Sequence, residues 1–306
     1  MPSLPPVPND SIAAIIVTFN PDLAQLSQLV KNLQSQSVSV VIVDNKSNTD
    51  LSDFVKKIDR PVQFAPLDQN YGIAKAHNVG IQIARESEFE YVLLMDQDSI
   101  PAGNMVRTLY AEAKKKMQAG IKLACVGPRY EDPRQKNPPP FISIKGIRHV
   151  RHTCSRPEDV IEVDYLISSG SLIPLSTLNV VGDMKEELFI DYVDIEWGLR
   201  AQRNGFASFG LCGAYMEHDL GDDPIVFFGR KIPIHSPLRH YYHFRNAIWL
   251  YKQSEPKANW KVVDATRLVR KFVFYSIFTK NSLQHFKMMT LGIFDGITNR
   301  MGPKNL

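Results

Sequence analysis

Cysteine is scarce in this sequence, which argues against a disulfide framework and against a cysteine-rich zinc site. Only three cysteines occur among the 306 residues, at Cys125, Cys154 and Cys212, and no two of them form a CxxC pair. Disulfide frameworks and zinc sites both need more cysteines at closer spacing. We therefore expect neither, and the cysteine usage favours a reducing compartment such as the cytoplasm.

Long apolar runs are also missing. No stretch approaches the roughly 20 apolar residues that a membrane-spanning helix needs. The first ten residues contain four prolines and no apolar run, which is unlike a signal peptide and predicts a disordered tail over residues 1–10. The composition is otherwise that of a globular protein, with 44% hydrophobic and 22% charged residues.

Positive charge is concentrated towards the C-terminal end. Residues 230–306 carry 14 Lys or Arg and three acidic residues, a balance of +11, whereas residues 1–229 have a balance of −7. This asymmetry favours contact with an anionic surface, such as the inner face of the plasma membrane. The alternatives are a solvated helical face and a homo-oligomer contact through the C-terminal helices. We expect no nucleic-acid partner.

Short apolar runs alternate with amphipathic segments in the first hundred residues. The predicted strands lie at 12–18, 38–43, 62–65 and 91–95, and the predicted helices at 21–34 and 73–85. This alternation predicts an α/β fold with a Rossmann-like, mainly parallel sheet and right-handed crossovers. A dinucleotide-binding GxGxxG does not follow the first strand, which argues against a nicotinamide enzyme.

The second half of the sequence is less regular. A Pro-rich stretch at 128–157 predicts a long loop or a hairpin. We predict strand at 160–173, a helix at 191–204, a strand near 214–217 and helices from Pro237 onward. We therefore divide the chain into the tail 1–10, an α/β domain over 11–235 and a helical, basic region over 236–306.

Two carboxylates follow the fourth predicted strand. Asp96 and Asp98, with Gln97 between them, come directly after the apolar run 91–95. Ligands of parallel sheets bind beyond the carboxyl ends of the strands, and hard oxygen ligands suit Mg²⁺ or Mn²⁺ shared with substrate phosphates. A DxD triplet also occurs by chance in surface turns, but the position at a strand end favours a metal site.

Small residues recur through 70–80, NYGIAKAHNVG. They allow a ligand or a backbone to approach the start of a helix closely, and an anion is favoured there. The alternative is a helix that packs tightly on the sheet through its small face.

An acidic and aromatic segment surrounds Asp194. An apolar setting beside Trp197 and Phe189 would raise the pKa of this carboxylate and suit it to act as a general base toward a hydroxyl. Glu196 and Arg200 are spaced for an i,i+4 ion pair. The alternative is helix capping plus a surface salt bridge.

Two further candidates follow. His218 comes after a predicted strand and is a candidate third metal ligand, although a lone histidine is more often structural. The run 239–246, RHYYHFRN, either cradles a pyrophosphate or a lipid-linked acceptor, or forms a packing seam.

In this order, these residues resemble the inverting glycosyltransferases of family 2, which share the GT-A nucleotide-binding fold. The resemblance covers about residues 12–246. It rests on the combination of VTFN at 17–20, VDN at 43–45, the stretch 70–80, DxD at 96–98, the Asp194 helix and HxxG at 218–221. The segments NxGxAxAxNxG, VDIEWGLR and HSPLRHYYHFRN are similar to the bacterial rhamnosyltransferase branch.

The resemblance implies a role for each matching residue. Asp96 and Asp98 would hold the metal and the diphosphate, with His218 as a further ligand. Asp194 would deprotonate the acceptor hydroxyl, which attacks the anomeric carbon in line and inverts it. The nucleotide-sugar donor would contact Thr18, Asn20, Asp44, Asn45, Asn70, Gly72, Asn78, Asp96, Gln97 and Asp98. The acceptor or diphosphate side would include Ser169, Gly170, Glu196, Trp197, Arg239, Tyr242 and Arg245.

The sequence departs from the family pattern at one position. Many relatives have Glu-Asp where this chain has Val193-Asp194, so a second carboxylate is missing just before the candidate base. Glu196 or Asp191 would compensate for it.

The leading hypothesis is a metal-dependent rhamnosyltransferase that uses dTDP-β-L-rhamnose to extend a lipid-linked saccharide of a surface polysaccharide, such as O-antigen, at the inner leaflet. One alternative is a family relative with a UDP-hexose or UDP-galactofuranose donor. A nucleotidyltransferase and a non-catalytic nucleotide-sugar-binding module are weaker alternatives. No Gly-rich basic loop follows the first strand, which argues against the first, and Asp96, Asp98 and Asp194 are all present, which argues against the second.

Overall fold

The computed structural model describes residues 7–8, 11–131, 139–218, 225–227, 230–232 and 234–304. In chain order these residues form the strands β1 Ile12–Thr18, β2 Ser39–Asp44, β3 Gln63–Pro66, β4 Tyr91–Asp96, β5 Ser99–Pro101, β6 Leu123–Glu131, β7 Phe141–Lys145, β8 Arg148–His152, β9 Val160–Val163, β10 Leu172–Pro174, β11 Ala207–His218, β12 Ile225–Phe227 and β13 Arg230–Ile232. The helices are α1 Leu23–Ser35, α2 Ser52–Lys56, α3 Gly72–Glu86, α4 Met105–Gln118, α5 Leu175–Val181, α6 Val193–Arg203, α7 Pro237–Lys252, α8 Ala258–Phe278 and α9 Ser282–Ile297, and a 3₁₀ turn spans Glu186–Leu188.

Nine strands form one mixed sheet in the order β3-β2-β1-β4-β10-β6-β11-β5, with β9 paired to β11 as well. Strands β1 to β4 run parallel to one another, and so do β6 and β11. Strand β10 joins the two groups because it pairs antiparallel with both β4 and β6. This mostly parallel sheet, flanked by helices, confirms the predicted α/β class.

The central strand β1 shows why the sheet forms. All seven of its residues are buried, and successive side chains enter two different hydrophobic clusters. Because side chains alternate between the faces of a strand, an unbroken apolar run suits a strand that is covered on both sides. One cluster receives Ala13, Ile15 and Val17, and the other receives Ile12, Ala14 and Ile16.

Several elements differ from the sequence prediction. The run 160–173 is two strands, β9 and β10, which pair with different neighbours because a loop separates them. The strand near 214–217 is only the end of the longer β11. Pro128 lies inside β6 rather than opening a loop, and the expected hairpin is β7–β8. The sequence prediction does not include α4, although its buried residues Met105, Val106, Leu109, Tyr110 and Ala113 recur at helical spacing.

The expectation that the chain has no disulfide is wrong, because Cys154 and Cys212 are bonded to each other. These two residues are 58 positions apart in sequence, but the chain leaving β8 passes beside β11. Cys125 is a buried free thiol. Sequence spacing does not limit which cysteines pair, and cysteine usage therefore no longer supports a reducing compartment.

The C-terminal helices pack closely on the sheet domain. The hydroxyl of Ser236 accepts the backbone N–H of Arg239 and caps α7, and Pro237 occupies the first turn. Helices α9 and α7 lie so close together that a Cβ at Gly292 would overlap the carbonyl oxygen of Tyr241. Among the described residues, none of the helices combines the length with the apolar character that spanning a membrane requires.

The expected tail over residues 1–10 lies mostly outside the described residues. Of the two that are described, Val7 is buried in one of the hydrophobic clusters. Pro8 accepts a hydrogen bond from the Ser11 hydroxyl through its carbonyl oxygen, at 3.0 Å.

Candidate active site

A cleft of about 610 Å³ opens at the carboxyl ends of β1, β2 and β4. Parallel strands place the residues that follow them along one edge of the sheet, which is why polar side chains from distant parts of the sequence meet here. The predicted residues that line the cleft are Asn45, Asn70, Gly72, Asp96, Gln97, Asp98, Asp194, His218 and Arg239.

Asp96, Asp98 and His218 form the most polar part of the cleft. Each offers one ligand atom, and these atoms lie within 4.8 Å of one another. His218 Nε2 is 3.7 Å from Asp96 Oδ2, and His218 Nδ1 is 3.4 Å from Asp98 Oδ1. Asp98 Oδ1 is buried and has no hydrogen-bond partner among the described residues. Such an atom fits a cation, because a buried carboxylate oxygen without a partner is otherwise costly.

Burial and the neighbouring charges shift the pKa of Asp96. Burial raises the pKa of Asp96 above its ordinary value, and the charge of Asp98 adds to the rise, whereas His218 and Arg239 lower it. A bound dication would favour the ionised carboxylates.

Two serines behind the acidic group hold His218 in place. The Ser99 hydroxyl lies 2.7 Å from His218 Nδ1 and 2.7 Å from the Ser169 hydroxyl. Ser169 in turn accepts the backbone N–H of Asp96 at 3.1 Å. The neighbouring Gly170 has a φ of +82° in the turn that leads into β10. Ser169 therefore supports the acidic group from behind, and neither Ser169 nor Gly170 lines the cleft.

Gln97 connects the acidic group to the end of β1. Its Oε1 accepts the backbone N–H of Phe19 at 2.8 Å, and its Nε2 donates to the carbonyl of Phe19 at 3.2 Å. The Phe19 ring is 46% exposed and lines the cleft. The middle residue of the DxD triplet thus positions the chain that follows β1.

Thr18 and Asp44 hold the loops that follow β1 and β2, behind the cleft. The Thr18 hydroxyl donates to Asp44 Oδ1 at 2.8 Å, and the same carboxylate accepts the hydroxyl of Ser47 at 2.6 Å. Asn20 accepts the backbone N–H of Asn48 through its side-chain oxygen at 2.8 Å. None of Thr18, Asn20 and Asp44 is among the lining residues.

Asn45 and Asn70 form a small network at the start of α3. Asn45 Nδ2 donates to Asn70 Oδ1 at 3.0 Å, and Asn70 Oδ1 also accepts the backbone N–H of Gly72 at 2.9 Å. Gly72 has a φ of +83°, and a Cβ there would overlap the carbonyl oxygen and ring of Phe189. The backbone N–H of Ile73 donates to that carbonyl at 2.7 Å, so the start of α3 is partly capped by the protein itself.

Asn78 lies away from the cleft. Its side chain exchanges two hydrogen bonds of 2.9 Å with the backbone of Met184 and donates a third to Glu186. This residue therefore anchors α3 to the segment before the 3₁₀ turn.

Asp194 lies in the first turn of α6 and faces the cleft. Burial raises the pKa of Asp194 to about 6, and the charges of Asp191 and Asp96 add to this rise. The backbone N–H of Ile195 donates to its Oδ1 at 2.8 Å and opposes the rise. A carboxylate with such a pKa is ionised at neutral pH and is a stronger base than an ordinary aspartate, which suits general-base chemistry.

Glu196 and Trp197 point away from the cleft on the same helix. Glu196 is 2% exposed and forms the expected i,i+4 pair with Arg200, at 2.7 Å, but inside the protein rather than on its surface. Trp197 is buried and donates through Nε1 to the carbonyl of Gly182 at 2.9 Å. The additional carboxylate that does line the cleft is Asp191.

One wall of the cleft comes from α7. Arg239 and His243 line it, and Arg239 Nε lies 3.4 Å from Asp191. Tyr242 is buried and stacks on the ring of Phe189, with centroids 4.8 Å apart. Arg245 is fully buried. The basic and aromatic run 239–246 therefore divides into cleft residues and packing residues, which the sequence pattern alone does not separate.

Phe189, Tyr192 and His243 also line the cleft. From the sequence, Phe189 is expected only beside Asp194, and His243 only as part of the run 239–246. Tyr192 has no sequence signal, because aromatic residues are common in cores. Gly221 of the HxxG motif lies outside the described residues, and of that motif only His218 is described.

Sequence comparison agrees with this geometry. The model of the family described as Glycosyl transferase family 2 matches residues 13–161. The dTDP-rhamnosyl transferase RfbF of Shigella flexneri is 34% identical over 303 residues, which cover 96% of this chain and 98% of that protein. The low-salt glycan biosynthesis hexosyltransferase Agl10 of Haloferax volcanii is 21% identical, over 96% of this chain and 93% of its own length.

Solved structures of glycosyltransferases share the fold. GalNAc-T7, crystallised with UDP, GalNAc and Mn²⁺, superposes with a TM-score of 0.61 at 15% identity, covering 97% of this chain and 59% of GalNAc-T7. The S. aureus TarS fragment 1–349, in complex with UDP-GlcNAc, gives a TM-score of 0.58 at 16% identity, over 94% and 82% of the two chains. The chain thus has a GT-A type fold, and the resemblance inferred from its motifs is confirmed: it belongs to glycosyl transferase family 2 and is a glycosyltransferase.

Proposed function

We propose that this glycosyltransferase transfers L-rhamnose from dTDP-β-L-rhamnose to a hydroxyl of a lipid-linked saccharide, with inversion at the anomeric carbon. The observation that carries the chemistry is the cleft that holds both Asp194, with its raised pKa, and the group Asp96, Asp98 and His218. The choice of donor is supported by the 34% identical relative, which is named a dTDP-rhamnosyl transferase and is matched over 98% of its length.

In this proposal, Asp194 acts on the acceptor, and Asp96, Asp98 and His218 act on the diphosphate of the donor. Asp194 takes the proton of the acceptor hydroxyl as its oxygen bonds to C1 of the sugar. The bond from C1 to the diphosphate oxygen breaks on the opposite face, so dTDP leaves and the configuration inverts. Asp96, Asp98 and His218 would hold Mg²⁺ or Mn²⁺, which supplies positive charge for the departing diphosphate. Arg239 adds positive charge near Asp96 from the wall that α7 forms.

The other parts of the donor would meet the neighbouring loops. The base and ribose would lie against Phe19, Asn45 and Asn70, at the end of the cleft formed after β1 and β2. Thr18 and Asp44 would act on the donor indirectly, because their side chains hydrogen-bond to each other and hold these loops.

The donor is tested by a direct assay. Purified enzyme is incubated with a lipid-linked acceptor, Mn²⁺ and either dTDP-β-L-rhamnose, a UDP-hexose or UDP-galactofuranose. Thermal shifts with dTDP, UDP and GDP are measured in parallel. We expect transfer and the largest shift in the dTDP arm. Transfer from only a UDP-sugar would replace the rhamnose proposal with one of the alternative donors.

We further propose that the C-terminal helices lie on an anionic membrane surface, at the inner face of the plasma membrane, where a lipid-linked acceptor is accessible. Both α8 and α9 expose apolar side chains at helical spacing, and exposed cations such as Arg270, Lys280 and Lys287 accompany them. Apolar and basic groups on one helical surface favour the lipid interface. The exposed apolar residues are Val262, Val269, Val273, Ile277 and Phe278 on α8, and Leu283, Phe286, Phe294 and Ile297 on α9.

Vesicle sedimentation tests this surface. We expect the wild type to sediment with vesicles that contain anionic lipid and the double variant Val269→Asp, Val273→Asp to remain in the supernatant. Val180→Asp serves as a control, because Val180 is equally exposed but lies on α5. Loss of a dimer in the double variant, with no vesicle binding by the wild type, would instead assign the surface to a second copy of the chain.

A further inference from the structure

The segment 187–192, which leads into the helix of Asp194, has an unfavourable backbone conformation. Phe189, Asp191 and Tyr192 have φ values of 65°, 62° and 65°. This left-handed region favours glycine, and here it is occupied by three larger residues. Such a conformation persists only where neighbouring groups hold it, so the groups that bond to this segment determine its shape.

Asn246 makes three hydrogen bonds to this segment. Its Nδ2 lies 2.8 Å from each of three carbonyl oxygens, those of Leu188, Ile190 and Asp191. The residue is fully buried on α7. A side-chain amide has two N–H groups, so one of them is shared between two carbonyls. The whole donor capacity of this amide is thus spent on the segment 187–192.

Arg245 determines which way this amide points. Its Nε donates to Asn246 Oδ1 at 2.9 Å, which leaves Nδ2 directed at the three carbonyls. Its Nη2 donates to the carbonyls of Glu187 and Leu188 at 3.1 and 3.0 Å. The guanidinium also lies 4.8 Å from the centroid of the Tyr242 ring. Both side chains therefore bind the backbone of the same segment from inside the protein.

The segment 187–192 contacts both the start of α3, where we propose that the donor binds, and the helix α6, which carries the candidate base. The carbonyl of Phe189 accepts the backbone N–H of Ile73, next to Gly72 at the donor end of the cleft. At its other end, Tyr192 immediately precedes α6, and its carbonyl accepts the backbone N–H of Glu196. Asp194 lies in that first turn, so a shift of the segment would move the donor wall and the candidate base together.

We propose that Asn246, with its amide oriented by Arg245, is a positioning residue for this glycosyltransferase. By holding the segment 187–192, it places Asp194 against the acceptor and Phe189 against Gly72. The inference rests on the proposed function for the role of Asp194. A positioning role differs from a purely structural one in what it predicts. Turnover should fall much further in an Asn246 variant than in a control variant with a similar loss of melting temperature.

The test uses the full chain with Asn246→Ala and Asn246→Asp. Both variants lose the N–H donors, and the second also places a carboxylate beside three carbonyl oxygens. Thr177→Val is the matched control, because Thr177 is equally buried and donates to the carbonyl of Leu123 at 2.7 Å, away from the cleft. Turnover, the KM for donor, the pH profile, the melting temperature and amide hydrogen exchange of peptides from 187–194 are measured.

We expect kcat to fall about 100-fold in both Asn246 variants, since a displacement of about 1 Å has this effect on a reacting group. The KM for donor should change less than kcat, the acidic limb of the pH profile should move, and exchange in 187–194 should increase. Thr177→Val should lower the melting temperature without these effects. If Asn246→Ala does not fold, Arg245→Lys tests the same point, because it keeps the charge but loses the fork of donors.

Turnover within threefold of the wild type, together with a melting temperature like that of Thr177→Val, would assign Asn246 a structural role only. Unchanged exchange in 187–194 would also overturn the proposal. If the wild type itself transfers no sugar, the proposed function fails. The exchange measurement then still decides whether Asn246 holds this segment.

Discussion

His218 and Ser99 are directly bonded in the cleft, with 2.7 Å between the histidine Nδ1 and the serine hydroxyl. They also face each other as paired residues of the antiparallel strands β11 and β5. The histidine therefore cannot rotate without breaking a hydrogen bond in a buried site. A hydrogen bond to one ring nitrogen fixes the tautomer and the orientation of the imidazole ring. The other ring nitrogen is then oriented to bind a metal.

Ser99→Ala should weaken binding of Mn²⁺ about 10- to 100-fold, because the ring of His218 loses the group that orients it. Isothermal titration with Mn²⁺, in the presence of dTDP, measures the change. Ser208→Ala is a suitable control, since Ser208 is also buried on β11 but contacts Cys125 rather than the cleft. Equal Mn²⁺ affinity in wild type and Ser99→Ala would mean that His218 is not a ligand.

Asp194→Asn should reduce kcat by a factor of about 10² to 10⁴ and leave the affinity for donor nearly unchanged. An amide cannot accept the proton of the acceptor hydroxyl, but it preserves the volume of the carboxylate. Turnover and calorimetric binding of dTDP measure the two effects. Near-normal transfer by this variant would show that another group, such as Asp191, is the base.

The raised pKa of Asp194 also predicts two pH dependences. Turnover should fall as the pH drops through about 6, because the base becomes protonated. Stability should change in the opposite sense: the folded state holds a proton that the unfolded state has already lost, so the ionised carboxylate destabilises the fold as the pH rises from about 4 to 6.

Asp194→Asn should therefore be more stable than the wild type at pH 8 and equally stable near pH 4. Since the side chain still reaches the open cleft, we expect about 1–2 kcal/mol, less than a shift of about two pKa units would give for a group shielded from solvent. Urea unfolding at the two pH values measures it. A lower stability of the variant at pH 8 would contradict the assignment of burial as the cause.

Much of the site follows from local patterns in the sequence. A strand that is apolar throughout ends at Asp96, and the carboxyl ends of parallel strands form the binding edge, so the position of this residue follows from elementary rules of sheet topology. The same holds for Asn45, which follows β2. Asp194 is harder to place, because the cleft around it also contains Asp96 from the end of β4 and Arg239 from α7, which the sequence does not bring together.

The sequence pattern predicts less about residues whose role depends on long-range packing. Arg245 looks like a cation for a phosphate, but it is fully buried and binds backbone carbonyls. Glu196 looks like a surface residue, but it is paired inside the protein with Arg200. Both outcomes depend on how α6 and α7 meet the sheet, which no local motif encodes. The bond between Cys154 and Cys212 escapes prediction because the chain that leaves β8 passes beside β11, which no local motif encodes either.

Gly72→Ala should impair both the fold and donor binding. Residue 72 has a φ of +83°, and its new Cβ would overlap the carbonyl oxygen of Phe189, so either the start of α3 or the segment 187–192 must move. We expect a loss of stability of more than about 2 kcal/mol and at least tenfold weaker binding of dTDP, because the moved wall belongs to the part of the cleft where we propose that the donor binds.

Gly103→Ala is the matched control for Gly72→Ala. Among the described atoms, nothing lies within 4 Å of a Cβ built at Gly103, and its φ is not in the left-handed region. The same glycine-to-alanine change should therefore leave unfolding and dTDP binding close to the wild type. Chemical unfolding and calorimetry on the two variants make the comparison. If Gly72→Ala bound dTDP as tightly as Gly103→Ala does, the contact between α3 and Phe189 would not shape the donor site, and dTDP would have to bind elsewhere in the cleft.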